Sequence, residues 1–553
     1  MDALRIRVLG RVPYAEARDL QQALLESGHD YVELLEHPAV ITLGRNADLE
    51  HIIGDPSSIG AEVISADRGG DVTLHGPGQL VAYAQISIED DPKAIVAHVG
   101  HLEDAVIEVV AALLDANAVG GIGRLEGYPG VWVGTETEAP KKVCAIGVRT
   151  ERHEGIRRTL HGIALNVDID LGLFDVIVPC GIAEHGVTSL AAQGAEVSMS
   201  KVTHLLADAL HRTLAPVRPV DLVSIERAGD LELKDLGAES MRLRRLRSSG
   251  VAPEAGLEIS RRKPEWLRLE ANFGTEYRST RGLVKDLGLV TVCEEAGCPN
   301  ISECWADGTA TFMVNGERCT RACGFCLVDT RKPLALDPSE PARVAEAVER
   351  LGLSHAVVTC VARDDLADGG AGAIAETIRA IRVRTPSTAV EVLISDLKGS
   401  KADLELIIDA APEVMNHNLE TVARLQRAVR PSAGYARSLT VLARSAAAGL
   451  TTKSGLMVGL GESDEEILEA MEDLASVGVS IVTIGQYLRP TKDHLPVARW
   501  VEPAQFESYA EAGRSMGFAH VQSSPLTRSS YHAREASEAA RPVAVTLGST
   551  PSR

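Results

Sequence analysis

The cysteines of this chain are distributed very unevenly, and their positions constrain its organisation more than any other feature. Six of the nine lie close together, at Cys293, Cys298, Cys304, Cys319, Cys323 and Cys326. The remaining three stand alone, at Cys144, Cys180 and Cys360. This distribution predicts two modules with different chemistry.

The cellular setting bears on what these thiols do. The N-terminus lacks the apolar core and cleavage site of a signal peptide. No uninterrupted apolar run approaches the length of a membrane span. We therefore expect a cytoplasmic chain whose thiols stay reduced. We interpret its cysteines, which are odd in number, as catalytic or metal-binding residues rather than as partners in disulfides.

Charge and aromatic content exclude several classes of partner. The formal net charge is −21, which argues against nucleic acid and against an anionic membrane surface, since both attract positive charge. Only 3% of the residues are aromatic, so a platform for stacking bases is not expected. Apolar residues make up 45% of the chain, which is enough for packed cores.

The length of 553 residues is too great for one ordinary domain. After residue 221 the hydrophobic period stops, and a charged stretch of small residues leads into one rich in Arg, Ser, Gly and Pro. No internal repeat is apparent, so we predict a fusion of unlike parts. The predicted boundaries are a first domain at 1–221, a linker at 222–240 and a second domain at 241–553.

The first domain alternates short β-like runs with helical stretches, which predicts an α/β or α+β fold. Candidate chemistry lies in RGGDVTLHGPGQ (68–79), KKVCAIG (141–147) and VPCGI (178–182). The glycines around Arg68 and His75 allow backbone to approach a ligand closely, although a structural turn explains them equally well. Cys180 is a candidate nucleophile on a turn, and a neighbouring ammonium such as that of Lys142 would favour its thiolate. Cys144 is the alternative nucleophile, because strand alternation puts it on the same face as Lys142.

These segments, with LHGIALNV (160–167) and TSL (188–190), occur in the order found in lipoyl(octanoyl) transferases, which the first domain resembles over nearly its whole length. The resemblance implies an α/β fold similar to biotin and lipoate protein ligases. It also implies transfer of an octanoyl group from acyl carrier protein to a lipoyl-domain lysine, with Cys180 as the acylated nucleophile and Lys142 as its activator. Ligases of this fold activate a free acid with ATP and need no cysteine, so Cys180 favours the transferase. The implied acyl pocket comprises Arg68, Gly69, Gly70, Asp71, Val72, Thr73, Leu74, His75, Ala145, Ile146, Gly147, Gly162, Ile163 and Ala164.

Two cysteine triads open the second domain. Thiolates spaced as Cys319-x3-Cys323-x2-Cys326 can hold three irons of a 4Fe–4S cluster. Zinc is the alternative, although zinc sites favour paired C-x2-C units and four closed ligands. The preceding triad is spaced as Cys293-x4-Cys298-x5-Cys304. Two triads in one module indicate two iron–sulfur clusters.

Downstream of the triads, strand-like and helical segments alternate many times, which predicts a parallel sheet closed or partly closed as a barrel. Active sites of such folds lie at the C-terminal ends of the strands. Polar residues that we expect to face one mouth there, as parts of a binding site, are Arg363, Asp364, Asp365, Asn416, His417, Asn418, Lys453, Glu462 and Gln486.

From about Arg262 to Ala533 the chain resembles lipoyl synthase, in CEEAGCPNISECW, CTRACGFC, NHNLETV, TKSGLMVGLGE, TIGQYLRPTKDHLPV and RSSYHA. The resemblance implies a radical S-adenosylmethionine (SAM) enzyme with a partial (β/α) barrel. The cluster on Cys319, Cys323 and Cys326 would bind SAM and generate a radical that removes hydrogens from C6 and C8 of an octanoyl chain. The cluster on Cys293, Cys298 and Cys304 would donate two sulfurs. Ser530 is the implied fourth ligand of that cluster, with Ser529 as the alternate.

Taken together, the two resemblances predict a bifunctional enzyme of protein lipoylation with two 4Fe–4S clusters and SAM. Implied partners are octanoyl-acyl carrier protein, an electron donor, and the lipoyl domains of 2-oxoacid dehydrogenase subunits and of the glycine-cleavage carrier. One alternative is that the first domain only docks the carrier. Another is that the second domain inserts sulfur into a different substrate, as biotin synthase does, although the six-cysteine pattern with RSSY argues against that.

Overall fold

The structure is a computed structural model that describes residues 3–182, 184–224, 241–257, 262–268, 274–295, 298, 300–306, 311–531 and 533–540. At residues 224, 241, 276, 304 and 306 it describes the backbone but not the side chain. The chain divides into two compact units, an N-terminal unit of residues 1–227 and a C-terminal unit of residues 228–553.

The N-terminal unit has a mixed sheet as its framework. Its strands are β1 (Leu4–Arg11), β2 (Tyr31–Glu36), β3 (Val40–Leu43), β4 (Glu62–Ser65), β5 (Val72–His75), β6 (Gln79–Gln85), β7 (Ser87–Ile88), β8 (Ile122–Leu125), β9 (Tyr128–Val133), β10 (Lys141–His153), β11 (Ile156–Asn166) and β12 (Val220–Ser224). Its helices are α1 (Tyr14–Glu26), α2 (Pro92–Leu113) and α3 (Met199–Leu214).

The main sheet of this unit has the order β12-β1-β2-β6-β11-β10-β9-β8, and a smaller sheet has the order β4-β3-β5. Apolar residues three and four apart on α2, such as Leu102, Val106 and Val109, form one buried face that packs with α3 on the sheet. The long hairpin of β10 and β11 crosses the middle of the sheet and contributes to the site described below.

Strand β12 pairs in parallel with β1, Leu4 lying opposite Val220. The sheet of the N-terminal unit therefore continues through residues 222–224, which the hydrophobic period had assigned to the linker. The rest of the predicted linker, residues 225–240, lies outside the described residues. A short terminal strand of this kind has too few residues to show a clear period in the sequence.

The C-terminal unit is a succession of β/α units. Its strands are β13 (Val290–Thr291), β14 (Thr311–Val314), β15 (His355–Cys360), β16 (Ala389–Leu393), β17 (Val414–Asn416), β18 (Thr451–Val458), β19 (Ile481–Gln486) and β20 (His520–Ser523). Its helices are α4 (Met241–Ser248), α5 (Thr275–Asp286), α6 (Val292–Glu295), α7 (Ile301–Ala306), α8 (Glu340–Leu351), α9 (Ala371–Arg384), α10 (Lys401–Ile408), α11 (Gln426–Val429), α12 (Tyr435–Ala447), α13 (Asp464–Ser476), α14 (Pro503–Ser515) and α15 (Ala533–Ala539).

The strands of this unit follow one another in chain order from β13 to β20. Neighbours from β14 to β20 are parallel, and β13 is antiparallel to β14. Within the described ranges no ladder joins β20 back to β13, so the sheet stays open. The prediction of an α/β chain with a partial (β/α) barrel in its second half is confirmed.

Two candidate active sites

The N-terminal unit contains a cavity of about 390 Å³ bounded by the segment at residues 68–75, the β10–β11 hairpin and the turn at residues 179–181. Both Cys180 and Lys142 line it. Of the fourteen residues expected to form an acyl pocket, the cavity brings together Arg68, Gly70, Asp71, Thr73, His75, Ala145, Ile146, Gly147, Gly162, Ile163 and Ala164.

Gly69, Val72 and Leu74 do not line this cavity. Val72 and Leu74 lie on β5, where successive side chains point to opposite faces. Both are fully buried in a separate apolar cluster. Gly69 instead accepts a hydrogen bond from Arg68 Nη1 through its carbonyl oxygen, at 3.0 Å. Only some residues of the contiguous segment 68–75 therefore line the cavity.

The turn that carries Cys180 has an unusual backbone. Cys180 adopts a left-handed conformation with φ +58°, followed by Gly181 with φ +68°. A Cβ atom at Gly181 would lie 2.4 Å from Asp71 Oδ2, so only glycine fits against that carboxylate. Asp71 also pairs with His51, whose Nδ1 lies 2.6 Å from Oδ2. Cys180 lines the cavity, and its left-handed backbone is a strained conformation of the kind found at functional sites.

Cations stand on two sides of the cavity. The ammonium of Lys142 lies 4.8 Å from the ring centroid of Trp132, in a cation–π contact, and the residue is nearly buried. Arg68 donates from Nη2 to the carbonyl oxygen of Thr42 at 2.7 Å. Burial lowers the pKa of Arg68, and the nearby thiol of Cys180 acts in the opposite direction. Two cationic side chains, Lys142 and Arg68, therefore line the cavity together with Cys180 and the carboxylate of Asp71.

The alternative nucleophile, Cys144, lies in the apolar core of the unit and does not line the cavity. Burial raises the pKa of its thiol to about 12. A register shift between β9 and β10 falls between Lys142 and Cys144. Such an irregularity breaks strand alternation, so the two side chains do not share a face as the sequence suggested.

In the C-terminal unit a cavity of about 610 Å³ lies beside both cysteine triads. Cys319, Cys323 and Cys326 line it, and so do Cys293 and Cys298 of the other triad. The side chain of Cys304 lies outside the described residues. Ser529 and Ser530, from a distant part of the sequence, line the same cavity.

The thiol groups of these residues are suitable ligands for an iron–sulfur cluster, but their described side chains are not already grouped around one point. Within the described ranges no three His, Cys, Asp or Glu side chains are grouped as ligands of a single metal ion. Burial raises the pKa of Cys326 to about 12 and that of Cys293 to about 11. As free thiols these residues stay protonated, and binding as thiolates needs the positive charge of iron to offset burial. Soft sulfur donors around one large cavity suit that metal.

The loop that carries Cys319, Cys323 and Cys326 follows β14 at the C-terminal edge of the parallel sheet. Arg321, between two of these cysteines, bonds the carboxylate of Asp364 at 2.8 Å and that of Asp396 at 2.6 Å. Asp364 and Asp396 follow β15 and β16 respectively. One buried guanidinium therefore ties the cysteine loop to the next two strands.

Most of the polar residues expected at the mouth of the barrel do not line this cavity. Only Asn418 and Gln486 do so. Lys453 lies near the beginning of β18 and binds the buried carboxylate of Glu391 at 2.9 Å, and Asn416 bonds the same carboxylate. Those not lining the cavity are Arg363, Asp364, Asp365, Asn416, His417, Lys453 and Glu462.

The cavity is also lined by charged residues that were not predicted as site residues from the sequence. They are Lys263, Glu420, Arg430, Arg489 and Arg528. Glu420 has a left-handed backbone, with φ +69°, and burial raises the pKa of its carboxyl. Arg528 immediately precedes Ser529, and Glu420 closes the NHNLE segment. Their position beside those motifs could have identified Glu420 and Arg528 as residues of the site. A single charged residue in a loop does not by itself indicate a functional role.

Comparison with known proteins agrees with this division. Residues 13–211 match the lipoyl protein ligase A/B catalytic domain. A solved bipartite lipoate protein ligase from Thermoplasma acidophilum covers 40% of this chain and 88% of its own, at 16% identity and a TM-score of 0.32. That likeness is too weak to inform on activity. Residues 313–474 match the radical SAM superfamily.

The lipoyl synthase of Rubrobacter xylanophilus is 56% identical over 281 residues, which are 50% of this chain and 88% of that protein. The chain belongs to the lipoyl synthase family. The lipoyl synthase of Kineococcus radiotolerans is 53% identical over 272 residues, 49% of this chain and 82% of that protein. The predicted fusion is confirmed: a lipoate ligase/octanoyltransferase-type catalytic domain precedes a radical SAM domain with lipoyl synthase relatives.

The chain is thus an enzyme of protein lipoylation that combines a transferase with a radical SAM sulfurtransferase. Iron–sulfur clusters and SAM are the cofactors of its family, and lipoyl-domain proteins are the substrates. Across the described residues, no helix combines the length and apolarity needed to cross a membrane.

Proposed function

We propose that the N-terminal unit transfers an octanoyl group from octanoyl-acyl carrier protein to a lysine of a lipoyl domain, and that the C-terminal unit then inserts sulfur at C6 and C8 of the attached chain. The observation that carries this proposal is that each unit surrounds one cavity with the reactive residues that its step requires. Cys180 and Lys142 line the first cavity. Members of both cysteine triads line the second.

In the transfer step, the Cys180 thiolate attacks the carbonyl carbon of the donor thioester. A new C–S bond forms to Cys180, and the C–S bond to the carrier breaks. Lys142 donates a proton to the leaving thiolate. The amine of the acceptor lysine then attacks the acyl-cysteine, an amide bond forms, and the sulfur of Cys180 leaves. The amine proton returns to Lys142, so the site is restored.

In the insertion step, Cys319, Cys323 and Cys326 would hold the cluster that binds SAM. A second 4Fe–4S cluster would be held by Cys293, Cys298, Cys304 and Ser530, with Ser529 as the alternate for Ser530. With an electron donor, these groups supply homolytic removal of hydrogen from unactivated C–H bonds and the sulfur for two C–S bonds. Arg321 anchors the cysteine loop, and Arg528, which immediately precedes the two serines, interacts electrostatically with Cys298.

The product of the first step is the substrate of the second, since the octanoyl chain stays on the lipoyl domain. A covalent connection between the two units raises the local concentration of the second site near the octanoylated carrier. This advantage needs no specific arrangement of the units. The same acceptor, a lipoyl domain of a 2-oxoacid dehydrogenase subunit or of the glycine-cleavage carrier, would visit both sites in turn.

The nature of the octanoyl donor tests the first half of the proposal. We expect the full chain to octanoylate an apo lipoyl domain when given octanoyl-acyl carrier protein without ATP. Free octanoate with ATP should give no product, because acyl-cysteine formation needs a thioester donor. Intact-protein mass spectrometry of the lipoyl domain measures both reactions. Product formed only from free octanoate and ATP would identify the unit as a ligase and contradict the proposal.

A further inference from the structure

Asp71 is the one acidic residue among the described residues that line the cavity of the N-terminal unit. It comes directly before β5, and its side chain is 15% exposed. A carboxylate in this cavity does not help Cys180 to form a thiolate, because neighbouring negative charges repel each other. Transfer of the acyl group to Cys180 therefore gives this carboxylate no role.

The carboxylate of Asp71 is held against the turn that carries the nucleophile. Its Oδ1 accepts hydrogen bonds from the backbone N–H groups of Asp48 at 2.9 Å and of Val72 at 2.7 Å. Its Oδ2 lies 2.6 Å from Nδ1 of His51. A Cβ atom at Gly181 would lie 2.4 Å from the same Oδ2, and Gly181 also lines the cavity. The carboxylate is thus fixed beside the residue that follows the nucleophile.

This carboxylate retains the capacity to bind a ligand. A carboxylate has about four lone-pair positions, and the contacts described above use three of them. Burial lowers the pKa of Arg68, and Cys180 and Asp71 are among the groups that act to raise it, so the three side chains are close enough to interact. A cation that enters the cavity toward Cys180 therefore comes within electrostatic range of Asp71.

The acceptor of the acyl group is such a cation before it reacts. The pKa of a free lysine is about 10.4, so at pH 7 its side chain is an ammonium. Arg68 repels this charge, and moving the charge out of water costs free energy unless an opposite charge offsets the loss. Asp71 supplies that opposite charge. The thioester of the donor is neutral and has no such requirement.

We propose that Asp71 is the acceptor-binding residue of the transferase, whose carboxylate receives the ε-ammonium of the lipoyl-domain lysine and brings it to acylated Cys180. The bound ammonium releases one proton to water, a loss that the positive charge of Arg68 favours. The resulting amine attacks the acyl carbon with the bond changes given above, so one proton is released per turnover. The inference rests on the proposed octanoyl transfer and concerns its second half-reaction.

Separate measurement of the two half-reactions tests this role, with Asp71→Asn as the variant and the full chain as the enzyme. Asn keeps the shape of the side chain and an oxygen for the backbone N–H groups. With octanoyl-acyl carrier protein alone, Cys180 should be acylated as fast as in wild type or faster. The second-order rate constant for transfer to an apo lipoyl domain should fall about 10- to 100-fold, as expected for the loss of one hydrogen bond to a charged group.

Two controls distinguish the binding of a cation from damage to the site. Asp48→Asn removes a charge from a neighbouring loop, and because Asp48 is exposed and does not line the cavity, this variant should keep the wild-type rates. Hydroxylamine is a neutral amine at pH 7. It should cleave acyl-Cys180 equally fast in wild type and in Asp71→Asn, because it brings no charge into the cavity. Rapid quenching followed by intact-protein mass spectrometry measures each step.

A double-mutant cycle measures the contact between Asp71 and the acceptor without turnover. In the absence of donor, the enzyme is titrated with the apo lipoyl domain and with a domain whose acceptor lysine is replaced by glutamine. Wild type should bind the lysine form at least about tenfold more tightly, whereas Asp71→Asn should bind the two forms alike. Isothermal titration calorimetry gives the four dissociation constants.

Several results would overturn the inference. Slower acylation of Cys180 in Asp71→Asn, or slower cleavage by hydroxylamine, would show that Asp71 only supports the turn. A preference for the lysine form that persists in Asp71→Asn would place the binding of the ammonium elsewhere. Equal binding of both forms by wild type would overturn the inference whether or not the variant folds. A wild-type chain that never acylates Cys180 would instead refute the proposed function itself.

Discussion

Cys180→Ser should abolish octanoyl transfer, lowering its initial rate by at least about a thousandfold. A serine hydroxyl is almost entirely protonated at pH 7, and it exchanges with a thioester far less readily than a thiolate does. The substitution changes one atom on a turn that Asp71 and Gly181 already hold, so the unit should fold normally. The measurement is the rate at which an apo lipoyl domain gains an octanoyl group from octanoyl-acyl carrier protein.

Cys144→Ala provides the matched control, because Cys144 does not line the cavity. It should keep the wild-type rate once the amount of folded protein is equalised. Wild-type enzyme given donor without acceptor should accumulate an acylated peptide that contains Cys180. Acylation of the peptide that contains Cys144, or a Cys180→Ser rate within about tenfold of wild type, would contradict the assigned nucleophile.

The second large effect concerns the cysteine loop of the C-terminal unit. Cys319→Ser should lower SAM cleavage and sulfur insertion by more than about a hundredfold, because loss of a direct ligand exceeds the 10- to 100-fold cost typical of losing a supporting residue. Octanoyl transfer should remain at the wild-type rate, since Cys180 and Lys142 lie in the other unit. Anaerobic assays of 5′-deoxyadenosine and of the sulfur content of the lipoyl domain measure these effects.

Cys360→Ser is the control for this second prediction. Cys360 lines the same cavity but belongs to neither triad. Its thiol sits at the end of β15, and burial raises its pKa to about 11. The variant should retain SAM cleavage and the iron content of the wild type. Equal losses of SAM cleavage and iron in Cys319→Ser and Cys360→Ser would show that any cysteine of the cavity is equally sensitive to substitution. That result would contradict the assignment of Cys319, but not Cys360, as a cluster ligand.

Most of the correct predictions came from the spacing of residues that are close together in the sequence. The alternation of strands and helices was sufficient for the α/β class, and the cysteine triads lie on single loops or short helices whose spacing is visible in the chain. Cys180 and Lys142 are far apart in sequence, yet both line one cavity as expected. The residue types alone suggested a thiol with a neighbouring ammonium, and the family resemblance implied the role of each residue.

What the sequence could not predict depends on contacts between elements. Val72 and Leu74 belong to a contiguous motif, but the second apolar core that takes their side chains forms only in the folded unit. The register shift next to Cys144 is a property of the β9–β10 pairing and leaves no mark in the sequence. Lys453 resembles a site residue, yet Glu391 on β16 binds it in the interior.

A single anaerobic time course tests the central claim, which is that one chain performs both steps of lipoyl assembly. The full chain is mixed with octanoyl-acyl carrier protein, apo lipoyl domain, SAM and a reductant, and the lipoyl domain is followed by intact mass. We predict that the octanoylated species appears first and is converted to a species with two added sulfurs, and that omission of SAM stops the reaction at octanoyl. A lipoyl domain that gains neither mass, or that gains octanoyl but never sulfur in the presence of both reconstituted clusters, would contradict the account.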